Sequence, residues 1–180
     1  EMNPYREMVA GHARWIREGK LAPLGGFLPE RPQRTGGEGP VVMIFSPHPD
    51  DECIVGGFPI RLQRECGWRV CNVAVTQGSK RERQAERLEE LKGACDYLGF
   101  ALETIGERGL EKVTPQARLA DPEGWKAKVS TVVDVLVRWR PRAILFPHVE
   151  DWNGTHIGVH HLVMDALAVI GSDLSTTLIE

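Results

Sequence analysis

The 180-residue chain has no run approaching the eighteen or so consecutive apolar residues that a membrane-spanning helix requires. Its amino terminus also lacks the basic-then-apolar pattern of a secretory signal. A cytoplasmic protein with no membrane partner is therefore expected. Basic charge is in short supply too. Against 25 Asp and Glu stand 22 Lys and Arg, a net charge of -3, and the pI is near 6.1. That balance offers no broad attraction to phosphate polymers, so no nucleic acid partner is expected. Cysteine is sparse: Cys53, Cys66, Cys71 and Cys95 form no Cys-x-x-Cys pair, which argues against both a structural zinc knuckle and a disulfide framework. They are expected to be reduced packing residues, Cys53 included, as a buried and inert thiol. Gly-x-Gly-x-x-Gly is absent as well. Gly56-Gly57 is therefore read as close helix–sheet packing and not as a phosphate loop.

What is present is enough apolar material, 42% of residues, to bury one substantial core. Tyr5, Met8, Val9, His12, Trp15 and Ile16 recur at helical spacing and predict an amphipathic helix over residues 4–18. A Pro/Gly-rich loop over 29–40 follows, separating an appendage (1–40) from a main domain (41–180). From Val41 onward short apolar runs alternate with longer amphipathic ones. Strands are expected at Val41–Phe45, Arg69–Thr76, Ala101–Ile105 and Ala143–Phe146. Helices are expected from the acidic stretch after Phe45 to Cys66, over Ser79–Leu98, from Asp121-Pro122 to Pro141, and over His156–Ile170; residues 109–118 read as an irregular loop. In the first helix Ile54, Phe58, Ile60 and Leu62 are available for burial, and Pro59 distorts it or marks a late start. On the second, Leu88, Leu91, Cys95 and Leu98 form a stripe, and Arg83 with Glu86 and Arg87 with Glu90 can pair at i,i+3. Asp121-Pro122-Glu123 is a capped start, with Trp125, Val129, Val132, Val133, Leu136 and Val137 on one face. This alternation predicts an α/β fold: a Rossmann-like parallel sheet with helices on both faces and an N-terminal helical appendage. Leu178-Ile179-Glu180 begins a further strand, so the domain is expected to be incomplete at its carboxyl end.

The richest chemistry lies in Ser46-Pro47-His48-Pro49-Asp50-Asp51-Glu52, directly after the first strand. Prolines on both sides of His48 restrict the backbone before any ligand arrives. Adjacent Asp50 and Asp51 cannot easily point the same way, so one can face a metal while the other faces the water on it. A turn whose aspartate merely caps the next helix accounts for one carboxylate and leaves His48 unexplained. His156 and His160, at i,i+4, share a face of the last helix, with His161 adjacent and His148 upstream. Loops after the first and fourth strands meet at the carboxyl edge of such a sheet, where ligands bind. At least one of these histidines is therefore expected to join His48 and Asp51 on a metal. Two histidines and a carboxylate leave a fourth position for water, as in catalytic zinc sites. Asp50 is then the natural general base, with His148, His160 and Asn153 as candidates for oxyanion donor and acid to the leaving nitrogen.

Pro47-His48-Pro49-Asp50-Asp51-Glu52 resembles the signature of the PIG-L/LmbE-like zinc-dependent N-deacetylases. Arg87-Leu88-Glu89-Glu90 through Leu98-Gly99 is similar to that family's Arg-x-x-Glu…Ala…Leu-Gly helix, and Asn153-Gly154-Thr155-His156 takes the place of its second motif, usually His-Pro-Asp-His. The resemblance implies His48, Asp51 and His156 as metal ligands, Asp50 as base, and Arg87 at the substrate pocket, with Asn153 beside it. It implies zinc, or another divalent metal in its stead, and a small N-acetylated sugar as substrate. Two departures stand out. Asn153 replaces a histidine that helps stabilise the oxyanion or protonate the amine, a role that passes to His148 or His160, and Ser79 follows Gly78 where the family commonly has glutamate. The appendage has no counterpart in the resemblance and is expected to lid the pocket or join subunits of a homo-oligomer. Alternative readings are an amidase of thiol–sugar conjugates or other N-acyl amines, and a non-catalytic Rossmann-like binding module.

Overall fold

Along the strand Val41–Ser46 (β1) all six residues are buried, yet successive side chains serve different cores. Val41, Met43 and Phe45 join one cluster and Val42 and Ile44 the other, as the two-residue period of a strand covered on both faces requires. A computed structural model of the protein describes residues 5–21, 38–106 and 108–180. It contains a five-stranded, all-parallel sheet in the order β3-β2-β1-β4-β5. The other strands are Arg69–Ala74 (β2), Ala101–Thr104 (β3), Ala143–Leu145 (β4) and Thr177–Ile179 (β5). Thr177–Ile179 bears out the further strand anticipated at the end of the chain.

The chain divides into two units, Glu1–Glu30 and Arg31–Glu180. The first holds helix Arg6–Gly19 (α1), as the spacing predicts, with Tyr5, Met8, Val9, Trp15 and Ile16 exposed. Of the loop expected at 29–40, residues 29–37 lie outside the described residues. In the second unit, Gln84–Leu98 (α4) and Gly57–Cys66 (α3) cover one sheet face through Leu91, Cys95, Ile60 and Leu62. The other face is covered by Pro122–Trp139 (α6) and Gly154–Ile170 (α7), through Trp125, Val129, Val132, Leu136, Val159, Leu162 and Val163. Gly158 lies where α7 crosses the chain: a Cβ there would meet the backbone oxygen of Val113 at 2.2 Å.

Several expectations require correction. The single helix after the acidic motif is two, Asp51–Val55 (α2) and α3, broken at Gly56. Pro59 thereby falls in the first turn of α3, where its missing N–H needs no partner. Ile54 and Phe58 face solvent, at 79% and 46% exposure. The 109–118 loop gives way at Pro115 to a helix, Pro115–Ala120 (α5), capped by Thr114, which accepts the N–H of Ala117 at 3.1 Å. On α6, Val137 is exposed and Val135 buried in its place. Cys71 and Cys95 are buried packing residues, but Cys53 and Cys66 are exposed.

Candidate metal centre

β1 and β4 are neighbours from which the chain proceeds in opposite directions across the sheet. The loops after them therefore open at the switch in strand order, the crevice where parallel sheets bind ligands. The first carries His48, Asp50 and Asp51; the second leads through Asp151 into α7, with His156 in its first turn. Asn153 caps that helix, its Oδ1 accepting the N–H of Thr155 at 2.8 Å.

Here the structure brings together His48, Asp51 and His156, each able to offer a ligand atom within 4.8 Å of the other two. Asp51 Oδ2 is 3.5 Å from His48 Nδ1 and 3.5 Å from His156 Nε2. Ligand atoms about 2.0–2.1 Å from one tetrahedral ion stand about 3.4 Å apart, so the donor set and spacing fit zinc. All three side chains are largely buried, at 22%, 13% and 19% exposure. Asp51 is held from below, since its Oδ2 accepts the His48 backbone N–H at 2.7 Å.

His156 is aimed by a residue to which no role attaches in the sequence reading. Its Nδ1 lies 3.0 Å from Asp151 Oδ2. A carboxylate only accepts, so the ring proton belongs on Nδ1 and the lone pair on Nε2 faces Asp51 and His48. Partial burial raises the Asp151 carboxyl's pKa, but the Asn153 N–H and His156 outweigh it, and the net value is below the ordinary carboxylate range.

Asp50 is not one of this group. Its side chain is 72% exposed and forms an ion pair with Arg87 at 3.2 Å; Arg87 also donates to the Pro49 carbonyl. The i,i+3 partner expected for Arg87, Glu90, is thus displaced by a tertiary one, whereas Arg83 does pair with Glu86 at 3.3 Å. Asp50 has φ 123 and ψ -21, a region sparsely populated by residues with a Cβ that costs about 1–3 kcal/mol. Buried Glu52 holds it there, Oε2 accepting the Asp50 N–H at 3.0 Å. Glu52 Oε1 accepts from the Cys53 thiol at 3.3 Å. Burial first, then Glu52, push that thiol up to about 11, so that little of it is thiolate at neutral pH.

The remaining expected residues do not join the three candidate ligands. His148 is half exposed at the rim, with Nδ1 accepting the Glu150 N–H at 3.1 Å. His160 lies one helical turn beyond His156, packed on Phe146, its Nδ1 3.0 Å from the Pro147 carbonyl. A cavity of about 420 Å³ adjoins Asp50, lined by Ser79, Lys80, Arg83, Arg87 and Glu90 among others.

Fold and site together define an α/β protein with a two-histidine, one-aspartate group at the switch point of a parallel sheet. The chain belongs to the PIG-L family, described as GlcNAc-PI de-N-acetylase, whose pattern matches residues 43–167. No curated protein matches it. Among solved structures it is similar to the conserved protein TT1542 of Thermus thermophilus, with 24% identity, 77% of this chain and 60% of that one covered, and a TM-score of 0.56. It is similar also to GalB, the 4-carboxy-2-hydroxymuconate hydratase of Pseudomonas putida, with 21% identity, coverage of 78% and 62%, and a TM-score of 0.56. A third is the N,N'-diacetylchitobiose deacetylase of Pyrococcus horikoshii, with 18% identity, coverage of 97% and 63%, and a TM-score of 0.55. The likeness is one of fold, and the chain spans about three fifths of the length of these proteins.

Proposed function

We propose that the protein is a zinc-dependent hydrolase that removes the acetyl group from an N-acetylated amino sugar or its conjugate. The observation that carries this reading is the division of two neighbouring carboxylates, Asp51 grouped with His48 and His156 and Asp50 left outside that group, exposed beside Arg87. The family description, a de-N-acetylase, supports the reaction class. Fold alone would not, since the same fold carries a hydratase.

His48, Asp51 and His156 would hold the ion. Zinc in such a setting brings the pKa of a water to about 7 and polarises a carbonyl oxygen. Asp50 takes the proton of the attacking water, and its exposure puts the carboxylate within reach of solvent and substrate. Arg87 orients Asp50 and borders the adjoining cavity, where sugar hydroxyls would bind. Asn153 spends its Oδ1 on the helix cap, leaving its amide N–H groups for the substrate. His160 is the acid for the departing amine, and His148, with both ring nitrogens engaged, braces the site beside it. Asp50→Asn keeps all three ligands and removes the base. Acetate release from N-acetylglucosamine conjugates should then fall by about 10²–10⁴-fold while bound zinc stays stoichiometric. Undiminished release in that variant refutes the assignment.

A further inference from the structure

Glu180, directly after β5, places one carboxylate between two imidazoles from different elements. Its Oε2 is 3.4 Å from His148 Nε2 and its Oε1 is 3.2 Å from His160 Nδ1. The other partners of each ring fix where the protons sit. His148 Nδ1 accepts the Glu150 backbone N–H at 3.1 Å, so that nitrogen holds the lone pair and the neutral ring carries its proton on Nε2, facing Glu180. His160 Nδ1 also lies 3.0 Å from the Pro147 carbonyl oxygen. Both of its neighbours are acceptors, so the proton is on Nδ1 and Nε2 is left without a partner among the described residues. The protonated nitrogens of both rings thus lie within ion-pair distance of Glu180. A carboxylate, with two accepting oxygens and no donor, satisfies both; an amide of the same shape satisfies one.

We propose that Glu180 is a positioning residue of the site. It reinforces the tautomers that the backbone partners favour, Nε2–H in His148 and Nδ1–H in His160, and holds the two rings in place, so that His160 keeps Nε2 free to take and return a proton. His160 is packed at a tilt against Phe146 and edge-on against His161, with ring centroids 5.4 Å away in each case, which opposes reorientation of the ring. His148, by contrast, has both nitrogens engaged and serves as a strut. What the free nitrogen does rests on the deacetylase reading; the tautomers do not.

Long-range ¹H–¹⁵N spectra of the histidine side chains test this on the full chain at a pH where the rings are neutral, with resonances assigned from His148→Gln and His160→Gln. The wild-type protein should show His148 as the Nε2–H form and His160 as the Nδ1–H form. In Glu180→Gln an NH2 group replaces one acceptor, and at least one ring should lose its single tautomer. His160 carrying its proton on Nε2 in the wild-type protein, or both tautomers unchanged in Glu180→Gln, overturns the proposal. Where Glu180→Gln does not fold, Glu180→Ala, which removes the carboxylate without adding a donor, should show a mixture of tautomers in at least one ring, and two unchanged single tautomers there overturn the proposal. Wild-type protein that releases no acetate, yet shows these two tautomers, would remove the deacetylase reading and leave Glu180's role intact.

Discussion

Replacing Asp151 by asparagine should weaken zinc binding more than deleting its side chain does. Asp151 uses both oxygens: Oδ1 accepts the Asn153 N–H at 2.7 Å and Oδ2 faces His156 Nδ1 at 3.0 Å. Asparagine has a single oxygen. A backbone N–H cannot change its character, so the amide must keep its oxygen on Asn153 and turn its NH2 toward His156. That NH2 is a donor, and it forces the imidazole into the tautomer with its proton on Nε2, the nitrogen aimed at Asp51. A protonated Nε2 cannot ligate. In Asp151→Ala the ring loses its orienting partner but can still adopt either tautomer with water. Loss of an outer-shell partner of this kind costs about 10–100-fold in metal affinity, or about 1.4–2.8 kcal/mol. Asp151→Ala should sit near the lower figure and Asp151→Asn at or beyond the upper one. Competition between the protein and a chromophoric chelator for zinc reads the difference. Equal affinity in wild type and Asp151→Asn, or tighter binding by Asp151→Asn than by Asp151→Ala, refutes the reasoning.

Other perturbations reach different parts of the account. Gly158→Ala drives a Cβ into the Val113 carbonyl, with 2.2 Å available, and should cost about 1–3 kcal/mol. That is a fall in Tm of roughly 2–12 °C, at about 2–4 °C per kcal/mol for a chain of this size; an unchanged melting curve counts against the packing of α7. Cys53, raised from 9.0 to about 11, holds about a hundredfold less thiolate at pH 8 than an unperturbed thiol. Raising the pH toward 11 should therefore accelerate its alkylation steeply, and mapping the modified peptide over pH 7–11 tests it; fast labelling at pH 7 contradicts it. Leu136→Ala removes a fully buried side chain between α6 and the sheet and should cost about 2–5 kcal/mol by denaturant unfolding, with a loss under about 1 kcal/mol counting against that core.

The fold was open to reading because parallel strands buried on both faces announce themselves as short apolar runs, and β1 and β4 are such runs. Asp121-Pro122 marked α6 for the same local reason that Thr114-Pro115 marks α5. The latter was obscured because no residue of α5 is buried, leaving no apolar stripe to follow the cap. Side-chain burial was harder to assign where a helix broke, as at Gly56, since every residue beyond the break turns to a new face. At the site, His48 and Asp51 were legible from residue type and spacing, while His156 was singled out among the later histidines only by the family resemblance. Asp151 and Glu180 were not legible, because their roles depend on which ring nitrogen they approach in space. Arg87 shows the same limit: its helical spacing to Glu90 suggested a surface pair, while the loop after β1 supplied Asp50 as the nearer charge.

The central claim is tested most directly by a crystal of the zinc-soaked protein, with anomalous scattering recorded on both sides of the zinc absorption edge. The account predicts one ion held by His156 Nε2, a His48 ring nitrogen and an Asp51 oxygen, with Asp50 outside the ligand set. An ion bound elsewhere, or none at this rim of the sheet, would contradict it.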